Sequence, residues 1–177
     1  MKKKTETILV ISKLLALFGG IGYSIMAGSK LFTLVASFIN PEWAKRTYEV
    51  DLQLFSIRDQ SISYYVIGMV LTILALAFKV LIWYTLFELL QKLKLQTPFT
   101  IDVERKLEKI AYLMFGVWLM SSIFWKIYAF YLLQDTGIQL SVNTSGDEYL
   151  FLAGIVYIIS QVFKRGIEIQ EENQLTV

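Results

Sequence analysis

Residues 64–87 read YYVIGMVLTILALAFKVLIWYTLF, and Lys79 is the only charged residue in this run. A helix rises about 1.5 Å per residue and needs about 20 apolar residues to cross a hydrocarbon core of roughly 30 Å. The run is therefore long enough to cross a lipid bilayer as a helix. We expect a membrane-spanning helix over Tyr64–Phe87.

Three more apolar runs flank this one along the chain. They are Ile8–Ala27, Ile110–Leu133 and Tyr149–Phe163. The last has only about 15 residues, near the lower limit for a span, but the basic side chains of Lys164 and Arg165 can snorkel to the interface while the helix continues. The sequence predicts an all-α membrane protein, a four-transmembrane-helix bundle that forms a single domain over residues 1–177.

The composition supports the membrane class and excludes several kinds of functional site. Hydrophobic residues make up 55% of the chain and the mean hydropathy is +0.53, whereas about 45–50% apolar residues is usual for a soluble domain. The chain contains neither cysteine nor histidine, which excludes disulfides, thiolate metal sites and a histidine base. No two of the remaining candidate groups cluster at one depth within the spans. We expect no catalytic site, no metal site and no cofactor.

Charged residues outside the runs predict the topology of the chain. Basic residues concentrate in the N-terminal tail, in the loop 88–109 and in the tail 164–177, whereas the loop 134–148 has no Lys or Arg and the loop 28–63 is mixed. By the positive-inside rule, both termini and the loop 88–109 are predicted to be cytoplasmic, and the other two loops external. The expected location is the cell membrane, and the first run is expected to stay uncleaved as a span.

The two external loops carry strand-like alternation. Apolar and polar residues alternate over Tyr48–Leu54 and over Ile138–Asn143, a period typical of half-buried strands. Since an isolated strand leaves its backbone groups unpaired, we expect loops one and three to pair in a small extracytoplasmic β element.

The sequence also predicts where several helices begin or end. Asn40-Pro41 should end the first helix, which we expect to continue past its apolar run. Thr100 is a candidate N-cap for a helix starting near Ile101, with Asp102 in the first turn. The fourth helix should run past Phe163 toward Glu172, into the cytoplasm.

Lys79 and Lys126 are charges inside predicted spans. A central lysine costs about 2.5–3.5 kcal/mol on the insertion scale, so each needs an explanation. One reading is that both snorkel to opposite interfaces. The other is that they line a path for anions, in which case the protein is a small transporter or channel subunit.

The cytoplasmic side carries charges of both signs. Arg105, Lys106 and Lys109 begin the third helix, and Glu168, Glu171 and Glu172 follow the fourth span. Opposite charges would favour side-by-side packing of these two helices, although exposed pairs are worth at most about 1 kcal/mol each. Two separately solvated faces are the alternative. If the helices pair, a set of exposed apolar residues would form a docking surface: Phe99, Ile167, Ile169 and Leu175.

Two cytoplasmic segments resemble a known family. Thr97-Pro98-Phe99-Thr100 with Arg105, Lys106, Leu107 and Ile110 resembles a "PFT…vrrLrrI" motif, and Val162-Phe163-Lys164-Arg165-Gly166 with the segment 168–177 resembles "vFkrG.elqeEnDLTV". Together they are similar to a bacterial four-span membrane family known as domain of unknown function 2975. The likeness in span number and order covers nearly the whole chain. Gln174 departs from the motif, where an Asp is usual.

The resemblance implies a role without an established activity. Members of this family are often encoded beside a small Cro/C1-type helix-turn-helix regulator, which implies a sensory or regulatory membrane partner of that regulator. The chain itself has no nucleic-acid-binding motif, so any effect on DNA would be indirect. A homo-oligomer stays open, and neither the signal nor the ligand is identified. The expected partner-docking residues are Pro98, Phe99, Thr100, Arg105, Lys106, Lys109, Lys164, Arg165, Gly166, Glu171, Glu172 and Leu175.

Overall fold

The computed structural model describes residues 2–46, 52–93, 99–140 and 146–175. This part of the chain is almost entirely helical and contains no strand. In chain order its elements are α1 (Lys2–Ile39), α2 (Pro41–Arg46), α3 (Leu52–Gln60), α4 (Ile62–Lys92), α5 (Ile101–Trp118), a π-helical turn (Leu119–Phe124), α6 (Trp125–Thr136) and α7 (Asp147–Leu175).

Four helices are long and apolar enough to cross a membrane. They cover Glu6–Ile39, Ile62–Lys92, Ile101–Thr136 and Asp147–Asn173. Each contains one of the predicted apolar runs, so the predicted class, a four-helix membrane protein, is confirmed. Most of the apolar surface of these helices faces outward: Phe18, Ile25, Phe130, Phe151 and Ile158 are each more than half exposed. That outward face is what lipid would cover.

Two helix boundaries lie where the sequence predicts them, and the predicted Thr100 cap is confirmed. α1 ends at Ile39, and the side-chain oxygen of Asn40 accepts a hydrogen bond from the backbone N–H of Trp43 at 3.1 Å, which caps α2. The Thr100 hydroxyl accepts from the backbone N–H of Val103 at 3.4 Å, so α5 begins at Ile101. Both boundaries follow from short-range chemistry, which is why the sequence predicts them correctly.

The spanning helices pack in the order α1, α4, α5, α7, with sequence neighbours antiparallel. We call the end where α4 ends, α5 begins and α7 ends the tail end, and the opposite end, which carries α2 and α3, the cap end. Each end has its own apolar core. Tyr65, Tyr128 and Leu132 belong to the core at the cap end, whereas Ile82 and Val117 belong to the core nearer the tail end.

At the cap end, the last residues of the first predicted strand are helical. Leu52–Leu54 lies in α3, so this end of the predicted strand is wrong, and the residues before it lie outside the described part. α3 is held by a long-range contact that alternation cannot reveal: the Arg58 guanidinium donates to the Ser37 carbonyl of α1 at 2.8 Å.

The second predicted strand is described only at its start. α6 ends at Gly137, whose φ of 71° is a left-handed conformation that favours glycine. Residues 138–140 then form no regular element, and residues 141–143 lie outside the described part. The side chain of Leu140 is buried in the cap-end core, so the chain runs back along the bundle after Gly137.

The fourth helix begins level with the middle of the third span. A Cβ added at Gly146 would lie 2.7 Å from Ser121 Cβ and 2.9 Å from Ser122 Oγ, so the start of α7 packs against the π-helical turn. About 22 Å of helix separates Ser121 from Thr136 at 1.5 Å per residue. The predicted run Tyr149–Phe163 is short because α7 starts at the level of the π-helical turn and not at the cap end.

Candidate functional site

The two cytoplasmic motifs of the sequence meet at the tail end. The Phe99 and Phe163 rings lie 5.1 Å apart between centroids, and a Cβ added at Gly166 would lie 2.8 Å from Phe99 Cδ1. The Phe99 ring therefore fills the space that the missing side chain of Gly166 leaves. Residues 64 positions apart in the sequence form one contact, which fixes the start of α5 against α7.

Local structure explains how Phe99 reaches that position. Thr100 caps α5, so Phe99 lies just outside the helix and its side chain is free to turn toward α7. α7 presents Phe163 and Gly166 on neighbouring positions of one face, since residues three apart lie side by side on a helix. Glycine is required at position 166 because the Phe99 ring approaches so closely. Any larger side chain there would displace the ring.

Apolar side chains remain uncovered around this contact. Phe99 is 40% exposed and Ile169 is 46% exposed, even though both lie at the end of the bundle where charged residues concentrate. We call the following exposed residues the tail-end patch: Phe99, Ile101 and Ile169. Such a group of apolar side chains rimmed by charges is typical of an interaction surface.

The charges at the tail end form pairs that differ from the predicted ones. Lys106 of α5 forms an ion pair with Glu88 of α4, and Arg165 pairs with Glu168 at 2.8 Å within α7. The expected side-by-side packing of these two helices is found, since α5 and α7 pack against each other, but Lys106 pairs with Glu88 of α4. A further pair, Lys92–Asp102 at 3.2 Å, links α4 to α5.

The remaining predicted docking residues line the same end. They are exposed and include cations on α5 and α7 and acids near the end of α7: Arg105, Lys109, Lys164, Glu171 and Glu172. Pro98 lies outside the described residues, and Leu175 ends α7 without a described side chain. The structure thus brings the two motifs together. Among the α5 cations, Lys106 pairs with Glu88 of α4.

Lys79 lies where three spanning helices approach one another. Its ammonium is 5.7 Å from the centroid of the Tyr23 ring of α1 and 5.3 Å from that of the Tyr149 ring of α7. The side chain is half-buried, and Glu148 is near enough for its charge to act on the ammonium. The sequence placed Glu148 in the loop 134–148, whereas in the structure it lies in the first turn of α7.

Lys126 lies in a different environment from Lys79. It is exposed and lines a groove of about 200 Å³ near the cap end, beside Phe130, Leu133 and Gln139. This exposed position on α6 leaves the Lys126 side chain able to snorkel to the interface. The two intramembrane lysines are therefore not equivalent.

Sequence reasoning missed the groups that act on Lys79, which are Tyr23, Tyr149 and, through its charge, Glu148. The adjacent serines Ser121 and Ser122 inside an apolar run are the one local signal for the π-helical turn, because such pairs often accompany distortions in helices. Nothing local indicates that Tyr23 and Tyr149 approach Lys79. Within the described ranges, no group of three acidic residues could hold a metal ion.

The comparisons with known proteins identify a family and no relative of known activity. A family model described as a protein of unknown function (DUF2975) matches residues 35–177. No curated protein and no solved structure matches the chain. The match includes both tail-end motifs and three of the four spanning helices.

Proposed function

Because the chain belongs to DUF2975, a family of proteins of unknown function, we propose its role from the geometry of the tail end. It is a regulatory protein of the cell membrane that docks a cytoplasmic partner, and the expected partner is a small helix-turn-helix transcription regulator. The protein would sense a condition at the cap end and restrain or release that regulator.

One observation carries this proposal. Phe99 packs against Phe163 and Gly166, so the two motifs that resemble the family's most specific segments form a single surface. Membrane packing alone does not require apolar residues at the charged end, yet Phe99 and Ile169, which lie outside the predicted apolar runs, are exposed there. A protein partner would cover these side chains and pair with the exposed cations.

The orientation is part of the proposal. The tail end carries Lys92, Arg105, Lys106, Lys109 and Lys164, and a concentration of Lys and Arg is typical of the cytoplasmic side. With four spans, both termini share that side. The tail-end patch would then face the compartment in which a transcription regulator resides.

The test is a binding measurement with the regulator encoded beside the gene. The full-length chain in nanodiscs should bind the purified regulator, and the double variant Arg105→Glu, Lys109→Glu should weaken binding at least tenfold, since both side chains are exposed. Lys45→Glu, an exposed change at the cap end, should leave binding unchanged. Equal binding by all three chains, or no binding by the unmodified chain, would reject the proposal.

Transport is the second candidate, favoured by the half-buried ammonium of Lys79 between α1, α4 and α7. In that case the protein is a small transporter or channel subunit for anions. Reconstituted proteoliposomes should then show a chloride or acetate flux that falls in Lys79→Leu and persists in Lys126→Leu. Flux no greater than that of protein-free liposomes would remove this candidate.

A further inference from the structure

A groove of about 430 Å³ runs along the outer surface of the bundle between α1 and α4. Its volume lies in the range of ligand pockets. Small residues of α1 leave the space, because Ala16, Gly20 and Ser24 follow one another at every fourth position on one face of the helix. Larger side chains form the walls: Leu17 and Ile21 on α1, and Trp83, Tyr84 and Phe87 on α4.

The groove offers few hydrogen-bonding groups to an occupant. The Ser24 hydroxyl donates to the Gly20 carbonyl at 2.7 Å, so its donor is satisfied within α1. The Tyr84 hydroxyl shares a hydrogen bond with Glu88, which lies outside the lining. The part of a ligand that lies along the groove is therefore apolar.

The length of the groove matches one leaflet of a bilayer. The lining of α1 extends from Ala16 to Ile25, about 13.5 Å at 1.5 Å per residue. Half of a hydrocarbon core of roughly 30 Å is about 15 Å. On α4 the lining stops at Phe87, where the predicted second span also ends. The acyl chain of a lipid occupies one leaflet in this way, whereas a helix of a second copy would cross both.

Lys13 lies at the tail-end mouth of this groove. It is seven residues before Gly20, so the two residues share nearly the same face of α1. The Cα–Cβ bonds of a helix tilt toward its N-terminus, which for α1 is the tail end. The Lys13 side chain is half-buried and forms no ion pair within residues 2–46, 52–93, 99–140 and 146–175.

The register of α1 against α4 gives the depth of Lys13. A Cβ added at Gly20 would lie 3.6 Å from the Trp83 Cβ, so these two positions are level. Because the two helices are antiparallel, Lys13 is level with Leu90, two residues before α4 ends. This level is about one helical turn beyond Phe87. The ammonium of Lys13 is thus at the boundary where lipid headgroups begin.

The sequence next to the mouth is basic. Residues 1–13 contain Lys2–Lys4 and Lys13 against one acid, Glu6. The one acid in α4, Glu88, is paired with Lys106 of α5. Lysines that cluster beside a membrane span attract anionic lipids, and basic pockets between spanning helices bind their headgroups. Charge complementarity therefore favours an anionic headgroup at this position.

We propose that the groove binds an anionic phospholipid. One acyl chain lies between α1 and α4, and the phosphate group pairs with the ammonium of Lys13. A zwitterionic phospholipid fits the groove equally well, but its headgroup brings a positive charge to an end that is already basic. The anionic lipid is therefore the preferred occupant.

This inference does not rest on the docking role of the tail end. The groove lies between α1 and α4, whereas Phe99, Ile101 and Ile169 of the tail-end patch lie beside or on α5 and α7. The lipid is measured without a regulator, so a failed lipid test leaves the proposed docking role unaffected. Loss of regulator binding would likewise leave the groove unaffected.

Trp83 gives a direct test, because brominated acyl chains quench a tryptophan that they contact and Trp83 forms a wall of the groove. The full chain, with Trp43, Trp118 and Trp125 replaced by Phe, is placed in vesicles of phosphatidylglycerol and phosphatidylcholine in equal amounts. Either lipid is brominated in turn. Phosphatidylglycerol should bind about fivefold more tightly at Trp83, the effect expected of one lysine near an anionic headgroup.

Substitutions of Lys13 test the headgroup contact. Lys13→Gln should lower the ratio of the two binding constants to about one, and Lys13→Arg should keep it, because either cation pairs with phosphate. Lys109→Gln is the matched control, since Lys109 is an exposed cation of α5 outside the groove. A ratio that stays unchanged in Lys13→Gln would contradict the contact.

Ser24 and Gly22 allow a test of the acyl-chain position. Ser24→Phe places a ring in the groove and should reduce quenching of Trp83 by either brominated lipid. Gly22→Phe is the control, because Gly22 does not line the groove and an added Cβ meets nothing within 4 Å. Equal quenching in both variants would show that the acyl chain does not lie between α1 and α4.

The lipid preference can also be measured without any substitution. Native mass spectrometry of the unmodified chain, released from a mixture of the two lipids in equal amounts, should show more bound phosphatidylglycerol than phosphatidylcholine. Equal amounts of the two lipids, or equal binding constants at Trp83, would overturn the proposal. Absence of quenching at Trp83 would overturn it as well, since a second copy that covers the groove would exclude lipid. Circular dichroism checks that each variant keeps the helical content of the unmodified chain.

Discussion

At the scale of single residues, glycines mark where helices and rings approach most closely. Gly166 accommodates the Phe99 ring, and Gly19 accommodates the indole of Trp83, 2.7 Å from an added Cβ. The sequence supplies three glycines in the first span but does not tell which of them makes a contact. Gly19 does and Gly22 does not, and that difference depends on the rotation of α1 against α4.

The pair Gly19 and Gly22 gives the first prediction. Gly19→Leu should lower the midpoint of thermal unfolding, because a side chain there overlaps the rigid indole and overpacking costs about 1–3 kcal/mol. Gly22→Leu is the matched control, with nothing within 4 Å of its added Cβ. Melting curves of both variants in the same detergent measure the difference, and equal midpoints would contradict the α1–α4 contact.

Gly166 and Gly154 allow the same comparison on α7. Gly166→Leu should displace Phe99 and lower the unfolding midpoint, whereas Gly154→Leu should have a much smaller effect because its Cβ meets open space. Quenching of a fluorophore attached at a cysteine replacing Arg105 would report the displaced α5 start. A larger effect from the change at Gly154 would show that the two motifs do not meet.

At the scale of helices, the ends that depend on local chemistry are predictable and those that depend on distant contacts are not. Thr100 and Asn40 cap helices through neighbours within three residues. The strand prediction over Tyr48–Leu54 fails at its end because α3 packs through Arg58 on Ser37 of α1. Alternation describes which side chains are apolar, but it does not reveal a partner that lies 21 residues away.

The contribution of the Thr100 cap to the free energy of unfolding can be measured directly. Thr100→Ala should destabilise the protein by about 0.5–2 kcal/mol, since it removes an acceptor for a free N–H of the first turn. Thr100→Ser keeps that acceptor and should recover most of the loss. Reversible denaturation in mixed micelles gives both values, and a Thr100→Ala variant as stable as the unmodified chain would contradict the cap.

The returning segment after α6 gives another prediction. Leu140 is 7% exposed in the cap-end core, whereas Leu133, one turn before Gly137, is 45% exposed. Leu140→Ala should cost about 2 kcal/mol or more through lost packing, and Leu133→Ala much less. If both changes have the same effect on the unfolding midpoint, the segment 138–140 does not pack against α6 and α4 as described.

At the scale of the whole molecule, the apolar runs and the positions of Lys and Arg predict the number of spans, and the structure agrees with four. They do not predict that α7 starts level with the middle of the third span, because the depth of a helix depends on its neighbours. That offset brings the Tyr149 ring to 5.3 Å from the Lys79 ammonium and leaves the segment 138–140 against α6.

The most direct test of the account is the sidedness of three single-cysteine variants in intact cells. Lys109→Cys and Glu171→Cys at the tail end should react with a membrane-impermeant thiol reagent only after permeabilisation, and Glu42→Cys at the cap end should react without it. This result would place both motifs of the tail-end patch in the cytoplasm. If positions 109 and 171 reacted from opposite faces of the membrane, the four-span bundle and the docking surface built on it would both be contradicted.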